Sequence, residues 1–291
     1  MIDGVFVVDK PAGCTSHTVV ARLRKQLGTR AVGHAGTLDP MATGVLLLLV
    51  GEGTKLSPYL TLETKAYRAE VLFGRTTDTL DTDGRITDER PVPPEALAPE
   101  HVEAALAGER ARTEQVPPAV SAIQVDGVRA HRLARRGEAP ELPPRPVRVL
   151  SLALLATHAD RIEVAVRATK GYYVRALARD LGARLGVPAC LSALRRTESG
   201  AFTLAEASPW PVPAGTAPLS LTAAARRCLP TASLTPEGAQ KARLGQALVA
   251  AHFFAPPDGE GVHAWLENEQ LVAVGVWRDD GYRVQRGFGA R

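Results

Sequence analysis

The chain has 291 residues, a length that suits one large domain or a catalytic domain with a small appendage. Hydrophobic residues make up 45% of it, which is enough for a packed core and excludes wholesale disorder. The 35 Lys and Arg against 31 Asp and Glu leave a formal net charge of +4, an excess too small to identify a nucleic-acid-binding protein by itself.

Cysteine usage and the N-terminus predict the cellular setting. Cys14, Cys190 and Cys228 are widely spaced and form no Cys-x-x-Cys pair, which argues against a zinc site or a disulfide framework. The first residues lack the basic and apolar regions of a signal peptide, and the longest apolar run, residues 45–50, is too short to span a bilayer. We therefore expect a cytoplasmic protein that has no membrane contact and binds no metal.

The N-terminal part of the chain predicts short strands and a helix. Residues 4–9 are rich in Val and predict a strand. The apolar spacing that follows predicts a helix that Ser16 caps and Gly28 ends. Residues 45–50 predict a buried strand, and residues 65–73 alternate as a half-buried strand does.

The middle of the chain mixes helices with further strands. Residues 99–106 predict a helix that ends before Gly108, and residues 174–185 predict the most regular amphipathic helix of the chain. Residues 147–155 and 162–166 predict strands. Hairpins with interspersed helices indicate the α+β class.

The C-terminal part has a different character. Residues 236–248 predict a helix, and residues 262–266 and 271–277 predict short strands that follow it. We expect two domains, a large one at residues 1–229 and a small, mostly β module at residues 230–291.

Basic residues cluster near both ends of the sequence. The two clusters are Arg22, Arg24, Lys25 and Arg30, and Arg278, Arg283, Arg286 and Arg291. Such clusters suit contacts with nucleic-acid phosphates, but solvated surface faces explain them equally well from charge alone.

Asp81-Thr82-Asp83-Gly84 is similar to part of a calcium-binding loop. Thr79 stands at the first ligand position of that loop and Arg90 at the twelfth, where carboxylates are required. We interpret this segment as an acidic surface turn.

Residues 33–44 contain three glycines, His34 and the pair Asp39-Pro40, directly before a buried strand. In a purely structural interpretation, Asp39 caps a helix whose first residue is Pro40. Gly44 follows so closely that this helix would have only one turn, so we favour a functional role for Asp39.

This segment resembles the catalytic motif of the TruB family, whose members isomerise the T-loop uridine of tRNA to pseudouridine. Further segments resemble the other family signatures in the same order: residues 10–16 (KPAGCTS), 65–69 (KAYRA), 115–122 (QVPPAVSA), 170–175 (KGYYVR) with 180–182 (DLG), and 194–196 (LRR). Cys14 and Tyr172 depart from the family pattern, which more often has Met and a small hydroxyl residue at these positions.

The resemblance implies a pseudouridine synthase fold, with a mixed, mainly antiparallel sheet and flanking helices. The C-terminal module, with Gly245, Gly275 and Gly281 among alternating apolar residues, resembles a PUA-like RNA-binding domain. The implied reaction is isomerisation of uridine 55 of tRNA. It requires no cofactor, and the implied partner is the T-arm stem-loop of tRNA bound by a monomer.

The resemblance also implies roles for three catalytic residues. Asp39 would be the catalytic carboxylate acting on a flipped-out base, either by nucleophilic attack or by stabilising a sugar intermediate. Arg175 would keep Asp39 ionised, although from sequence alone an exposed helix residue that binds phosphate is the simpler interpretation. Tyr67 would stack on the target base and assist proton loss from carbon, although a tyrosine on a strand face is more often part of a core.

Four further residues complete the implied site. Tyr173 and Leu194 would line the pocket. Lys10 would support the catalytic loop, with a surface lysine before a turn as the alternative interpretation. His34 would insert near the space that the flipped base leaves, with a simple turn residue as the alternative.

Three other functions are consistent with the residues. They are pseudouridine synthesis on another RNA, including guide-RNA-dependent modification, a non-catalytic RNA-binding or tRNA-folding role, and base excision by a glycosylase. The intact set of Asp39, Tyr67 and Arg175 argues against the non-catalytic role.

Overall fold

The computed structural model describes residues 2–121, 123–125, 127–130, 133, 136–138, 142–257, 261–278 and 281–289. The chain divides into two compact units, which are described separately. Unit 1 comprises Met1–Asp39, Val45–Glu63 and Ser199–Arg291, and unit 2 comprises Pro40–Gly44 and Thr64–Glu198.

The helices are short. The helices whose whole length is described are, in chain order, α1 (Ser16–Leu27), α2 (Ser57–Thr61), α3 (Pro99–Arg110), α4 (Val174–Leu185), α5 (Leu221–Arg226) and α6 (Pro236–Arg243), with 3₁₀ turns at Gly51–Leu56, Pro94–Leu97, Leu204–Glu206 and Ala250–His252. Within the described part of the chain, none of them has the length and apolar character needed to cross a membrane.

Strands make up much of both units. In chain order they are β1 (Gly4–Lys10), β2 (Val32–Ala35), β3 (Thr43–Val50), β4 (Lys65–Phe73), β5 (Arg75–Thr77), β6 (Ile86–Glu89), β7 (Glu114–Gln115), β8 (Gln124–Val125), β9 (Val128–Arg129), β10 (Arg145–Pro146), β11 (Val149–Thr157), β12 (Arg161–Ala168), β13 (Ala189–Ser199), β14 (Phe202–Thr203), β15 (Thr231–Ser233), β16 (Val262–Glu267), β17 (Gln270–Arg278) and β18 (Gly281–Gly287).

Unit 2 is built on a mixed sheet. Its strand order is β13-β4-β12-β11, in which β4 pairs with β12 and β12 with β11 in antiparallel orientation. The first two residues of β3 pair in parallel with Arg195 and Arg196 of β13. Helices α3 and α4 pack against each other, α3 also contacts β11, and α4 contacts β4. The predicted α+β class with a mainly antiparallel sheet is confirmed.

Unit 1 has its core around β3. The leucines of β3 are fully buried, as the uninterrupted apolar run predicts, and Leu47 and Leu49 pack with residues of β1, α2 and α5. The four-stranded sheet β15-β16-β17-β18 contributes Ala264, Leu266 and Val274 to the same core. A second core, which includes Trp265, lies within residues 232–284. The domain boundary at residue 230 stays a prediction.

Two helix boundaries differ from those predicted near the N-terminus and in the middle of the chain. The N-cap of α1 is Thr15, whose side chain accepts the backbone N–H of Thr18 at 3.0 Å, so the prediction of Ser16 as the cap was wrong. Helix α3 continues through Gly108 instead of ending before it. A Cβ on Gly108 would lie 2.5 Å from Nη1 of Arg184, so this glycine allows a close approach and does not end the helix.

The last helix is shorter than predicted. Helix α6 ends at Arg243, and Gly245 adopts a left-handed conformation with φ of 69°. Leu248, which the apolar spacing placed on the helix, instead donates its backbone N–H to Tyr282 O at 2.9 Å. Pairing with β18 therefore determines the conformation at Leu248 in place of its helical propensity.

The close approach of Gly275 to Trp265 yields a stability prediction. A Cβ at Gly275 would lie 2.1 Å from both Cη2 and Cζ2 of the indole, and Trp265 is fully buried with 0% exposure. Because the ring has no room to move, we expect Gly275→Ala to lower the free energy of unfolding by about 1–3 kcal/mol in urea denaturation.

Gly287→Ala is the matched control on the neighbouring strand, since a Cβ at this position would meet no atom within 4 Å beyond its own chain neighbours. It should change the free energy of unfolding by less than about 0.5 kcal/mol. Equal effects of the two substitutions would show that the contact with Trp265 is not what requires glycine.

Candidate active site

Asp39 lies on a loop that contains no helix. Strand β2 ends at Ala35, β3 begins at Thr43, and residues 36–42 between them have no regular structure. Asp39 is half-buried, and Gly36 has a φ of 79° that favours glycine. The interpretation of Asp39 as a helix cap was therefore wrong.

Ser16 fixes the residue before Asp39. Its hydroxyl accepts the backbone N–H of Leu38 at 2.9 Å and donates to Leu38 O at 3.2 Å. Both residues are buried, so these bonds are protected from competing water. Sequence reasoning missed this role because Ser16 also matches the pattern of a helix cap.

Lys10 is fully buried, with 0% exposure. Its Nζ donates to Pro11 O at 2.9 Å and to Cys14 O at 2.7 Å. A buried ammonium group requires such acceptors, and here they fix the turn that leads into α1. The alternative interpretation of Lys10 as a surface lysine was wrong.

His34 lies within strand β2, where it pairs with Leu48 of β3. Its ring is half-buried and meets the ring of His17 edge-on, with 5.4 Å between the centroids. His34 is therefore not a simple turn residue. Unit 1 thus contributes Lys10, His34 and Asp39 of the predicted site.

Arg175 is the second residue of α4 and is 5% exposed. Its Nη1 donates to Thr79 O at 2.7 Å, and its Nη2 donates to Val120 O at 3.0 Å. The guanidinium therefore joins two loops to the start of α4. An exposed phosphate-binding arginine, the alternative from sequence alone, is contradicted by this burial.

Asp81 faces the same guanidinium. Its Oδ2 lies 3.6 Å from Nε of Arg175, and both side chains are 6% exposed. The hydroxyl of Thr79 and the backbone N–H of Asp83 donate to its Oδ1 at 2.6 Å and 3.2 Å. For Asp81 the surface-turn interpretation was wrong, whereas Asp83 is exposed as that interpretation requires.

Tyr67, Tyr173 and Leu194 all belong to unit 2. Tyr67 is half-buried on β4, whereas Ala69, Val71 and Phe73 farther along the strand are buried, so Tyr67 is not an ordinary core residue. Tyr173 is the N-cap of α4 and is half-buried.

Leu194 is 7% exposed on β13, the neighbour of β4. The next two residues of β13, Arg195 and Arg196, pair in parallel with the start of β3. This pairing needs a glycine at position 44, because a Cβ there would lie 2.1 Å from Arg196 O. Unit 2 thus contributes Tyr67, Tyr173, Arg175 and Leu194 of the predicted site.

The described part of the chain contains no group of three or more His, Cys, Asp or Glu side chains arranged to hold a metal ion. Unit 1 has the half-buried carboxylate of Asp39, and unit 2 has the buried guanidinium of Arg175 and the half-buried phenol of Tyr67. Each of these chemical groups can stabilise charge or move a proton.

Comparison with protein-family models gives a match over residues 24–174 to the model described as "TruB family pseudouridylate synthase (N terminal domain)". A protein of Mycobacteroides abscessus called "tRNA pseudouridine synthase B" is 42% identical over 288 residues, which cover 97% of this chain and 94% of that protein. A protein of the same name from Opitutus terrae is 48% identical over 206 residues, which cover 71% of this chain and 85% of the relative.

Solved structures support the fold. The structure titled "Structure of H/ACA RNP bound to a substrate RNA containing 2'-deoxyuridine" matches with a TM-score of 0.74 at 22% identity and covers 99% of this chain and 86% of that one. The "Crystal Structure of a Cbf5-Nop10-Gar1 Complex" has the same TM-score and identity, with coverage of 98% and 84%. The predicted pseudouridine synthase fold is thereby confirmed.

The match to the family model and the identity to full-length relatives point the same way as the segments noted in the sequence. The chain belongs to the TruB family of pseudouridylate synthases.

Proposed function

We propose that this enzyme isomerises the T-loop uridine at position 55 of tRNA to pseudouridine, with Asp39 as the catalytic carboxylate. Relatives called tRNA pseudouridine synthase B, aligned over nearly their whole length, support tRNA as the substrate. The observation that carries the role of Asp39 is its half-buried position on a helix-free loop that Ser16 anchors.

The reaction explains why a carboxylate is needed. The bond between N1 of uracil and C1′ of ribose breaks, a bond between C5 and C1′ forms, C5 loses a proton and N1 gains one. Asp39 either attacks the nucleotide or stabilises a positively charged sugar while the base turns over. Nothing is oxidised or transferred to a second molecule, so the chemistry requires no redox cofactor.

Arg175 is proposed to keep Asp39 ionised. A carboxylate that loses water contact on RNA binding also loses its charge unless a cation faces it. A guanidinium provides that cation with several directed N–H donors, and the carbonyl groups of Thr79 and Val120 support Arg175 in one orientation.

Tyr67 is proposed to stack on the extruded uracil and to assist proton loss from C5. Its half-buried ring on β4 supports this role, because a fully buried ring could not receive a base. Extruding a stacked uridine costs a few kcal/mol, which stacking on an aromatic ring offsets in part. Tyr173 and Leu194 would line the pocket, Lys10 would support the catalytic loop, and His34 would insert near the vacated space.

The T-arm would be held through its phosphates and its shape. On α1, Arg22 and Lys25 are exposed and suit phosphate contacts. Arg24 instead donates from Nη2 to Val32 O at 2.7 Å, and Arg291 lies outside the described residues. Residues 230–291 are proposed to be a PUA-like RNA-binding domain of a monomeric enzyme.

The proposal is tested with a T-arm stem-loop transcript that carries tritium at C5 of its uridines. Isomerisation releases tritium into water without free uracil. Release of free uracil would identify a glycosylase, and binding without either product would identify a non-catalytic RNA-binding protein. A stem-loop with uridine only at position 55 tests the site of modification.

Asp39→Asn should abolish tritium release because the amide carries no charge and is a poor nucleophile. We expect a loss of about 10,000-fold or more in rate. RNA affinity, measured by filter binding, should stay within about threefold of the wild type, since the substitution keeps the shape. Asp83→Asn, at an exposed aspartate, is the control and should retain activity. Activity of the Asp39→Asn enzyme would show that Asp39 is not the catalytic carboxylate.

Arg175→Lys keeps a positive charge but lacks the planar group that reaches both Thr79 O and Val120 O. We expect the single-turnover rate to fall on the order of 100-fold. Arg184→Ala, at an exposed position on the same helix, should leave the rate unchanged. A near-normal rate for Arg175→Lys would contradict the need for a guanidinium.

A further inference from the structure

The end of α3 and the strand β7 are joined to the start of α4 by buried side-chain contacts. Glu109, Arg112 and Gln115 provide these contacts on one side. They contact Tyr172 and Tyr173 just before Arg175, and Asp180 farther along α4, although none of the three is part of the site described above. This junction therefore holds the chain on both sides of Arg175.

Gln115 binds the backbone of Tyr173 twice. Its Oε1 accepts the N–H of Tyr173 at 2.9 Å, and its Nε2 donates to Tyr173 O at 3.2 Å. Gln115 is 2% exposed, so water does not compete for these bonds. Tyr173 is the N-cap of α4 and its side chain makes no capping bond. Gln115 thus fixes the peptide group two residues before Arg175.

Tyr172 is held from the same side. Its hydroxyl donates to Oε1 of Glu109 at 3.0 Å. Nε of Arg112 donates to both carboxylate oxygens of Glu109 at 2.7 Å and 2.8 Å, and Nη2 of Arg112 lies 2.8 Å from Oδ2 of Asp180 on α4. Tyr172 is one of the two positions where the chain departs from the family pattern, and here the larger phenol reaches a fully buried carboxylate.

The electrostatics of this network favour a role in geometry over a role in stability. Burial raises the pKa of Glu109, in opposition to the hydrogen bond from Arg112, and burial also raises the pKa of Tyr172 well above its usual value. Desolvation of charges offsets much of their attraction, so buried ion pairs add little net stability, but they fix one arrangement where their geometry is good.

We propose that Gln115, together with the bond between Tyr172 and Glu109, positions the guanidinium of Arg175 for the isomerisation. This inference rests on the proposed function. Gln115 and Glu109 are positioning residues that act through the backbone at residues 172–174, and they touch neither the base nor the sugar. Without them the first turn of α4 shifts, and Arg175 no longer reaches the carbonyl groups of both loops.

The test compares single-turnover tritium release by the wild type, Gln115→Ala and Tyr172→Phe. Because a displacement of about 1 Å in a catalytic group costs up to about 100-fold in rate, we expect Gln115→Ala to be about 10- to 100-fold slower. Tyr172→Phe keeps the ring and removes one hydrogen bond, so we expect a loss of about 3- to 10-fold. RNA affinity should stay within about threefold of the wild type in both.

A double-mutant comparison separates positioning from a general loss of structure. In an Arg175→Lys background, Gln115→Ala should slow the reaction by less than about threefold more, because the group that it positions is already gone. Tyr59→Phe, which removes a buried hydroxyl from unit 1, is the control and should leave the rate unchanged.

Each outcome decides one of the two proposals. A normal rate for Gln115→Ala, or the same loss in the wild-type and Arg175→Lys backgrounds, overturns the positioning role while the proposed function stands. A wild type that releases no tritium overturns the proposed function, and the positioning role with it. Should Gln115→Ala fail to fold by circular dichroism, Tyr172→Phe in the two backgrounds gives the same decision.

Discussion

The buried guanidinium of Arg175 is the constraint on which unit 2 depends. A charge that is 5% exposed must be met on several sides, and the structure does so with the carbonyl groups of Thr79 and Val120 and with Asp81. These partners come from two loops, so the loops must be held at fixed distances from the start of α4. The pairing of β4 with β12 and the packing of α3 on α4 provide the frame for this arrangement.

In unit 1 the loop that carries Asp39 contains no helix, and buried side chains hold the chain around it. Ser16 binds both backbone groups of Leu38, and Lys10 binds the two carbonyl groups of the turn before α1. Each of these side chains is buried, so each bond is made in surroundings of low polarity, where it is stronger than in water. The chain around Asp39 is thereby fixed at Leu38 and at the turn before α1.

The sequence was most informative where local periodicity and burial agree. The bounds of β4 and α4 were predicted without error. Alternation of apolar and polar residues indicates a strand, and an apolar stripe at helical spacing indicates a helix. Family resemblance supplied the candidate residues, and periodicity alone would have left Tyr67 as a core residue and Arg175 on the surface. Asp81 was misread as exposed, because its pairing with Arg175 joins residues that are distant in sequence. The helix ends predicted at Gly108 and Leu248 were wrong for the same reason. Gly108 lies against Arg184 and Leu248 bonds to Tyr282, and both partners are distant in sequence.

In the proposed reaction a carboxylate and a supported guanidinium act on a uridine taken out of its RNA loop. This proposal is tested most directly by a crystal structure of the enzyme with a T-arm stem-loop that carries 5-fluorouridine at the target position. We expect an extruded nucleotide with its base against the Tyr67 ring and its sugar or base next to the Asp39 carboxylate. A base that stays stacked in the loop, or one bound far from Asp39, would contradict it.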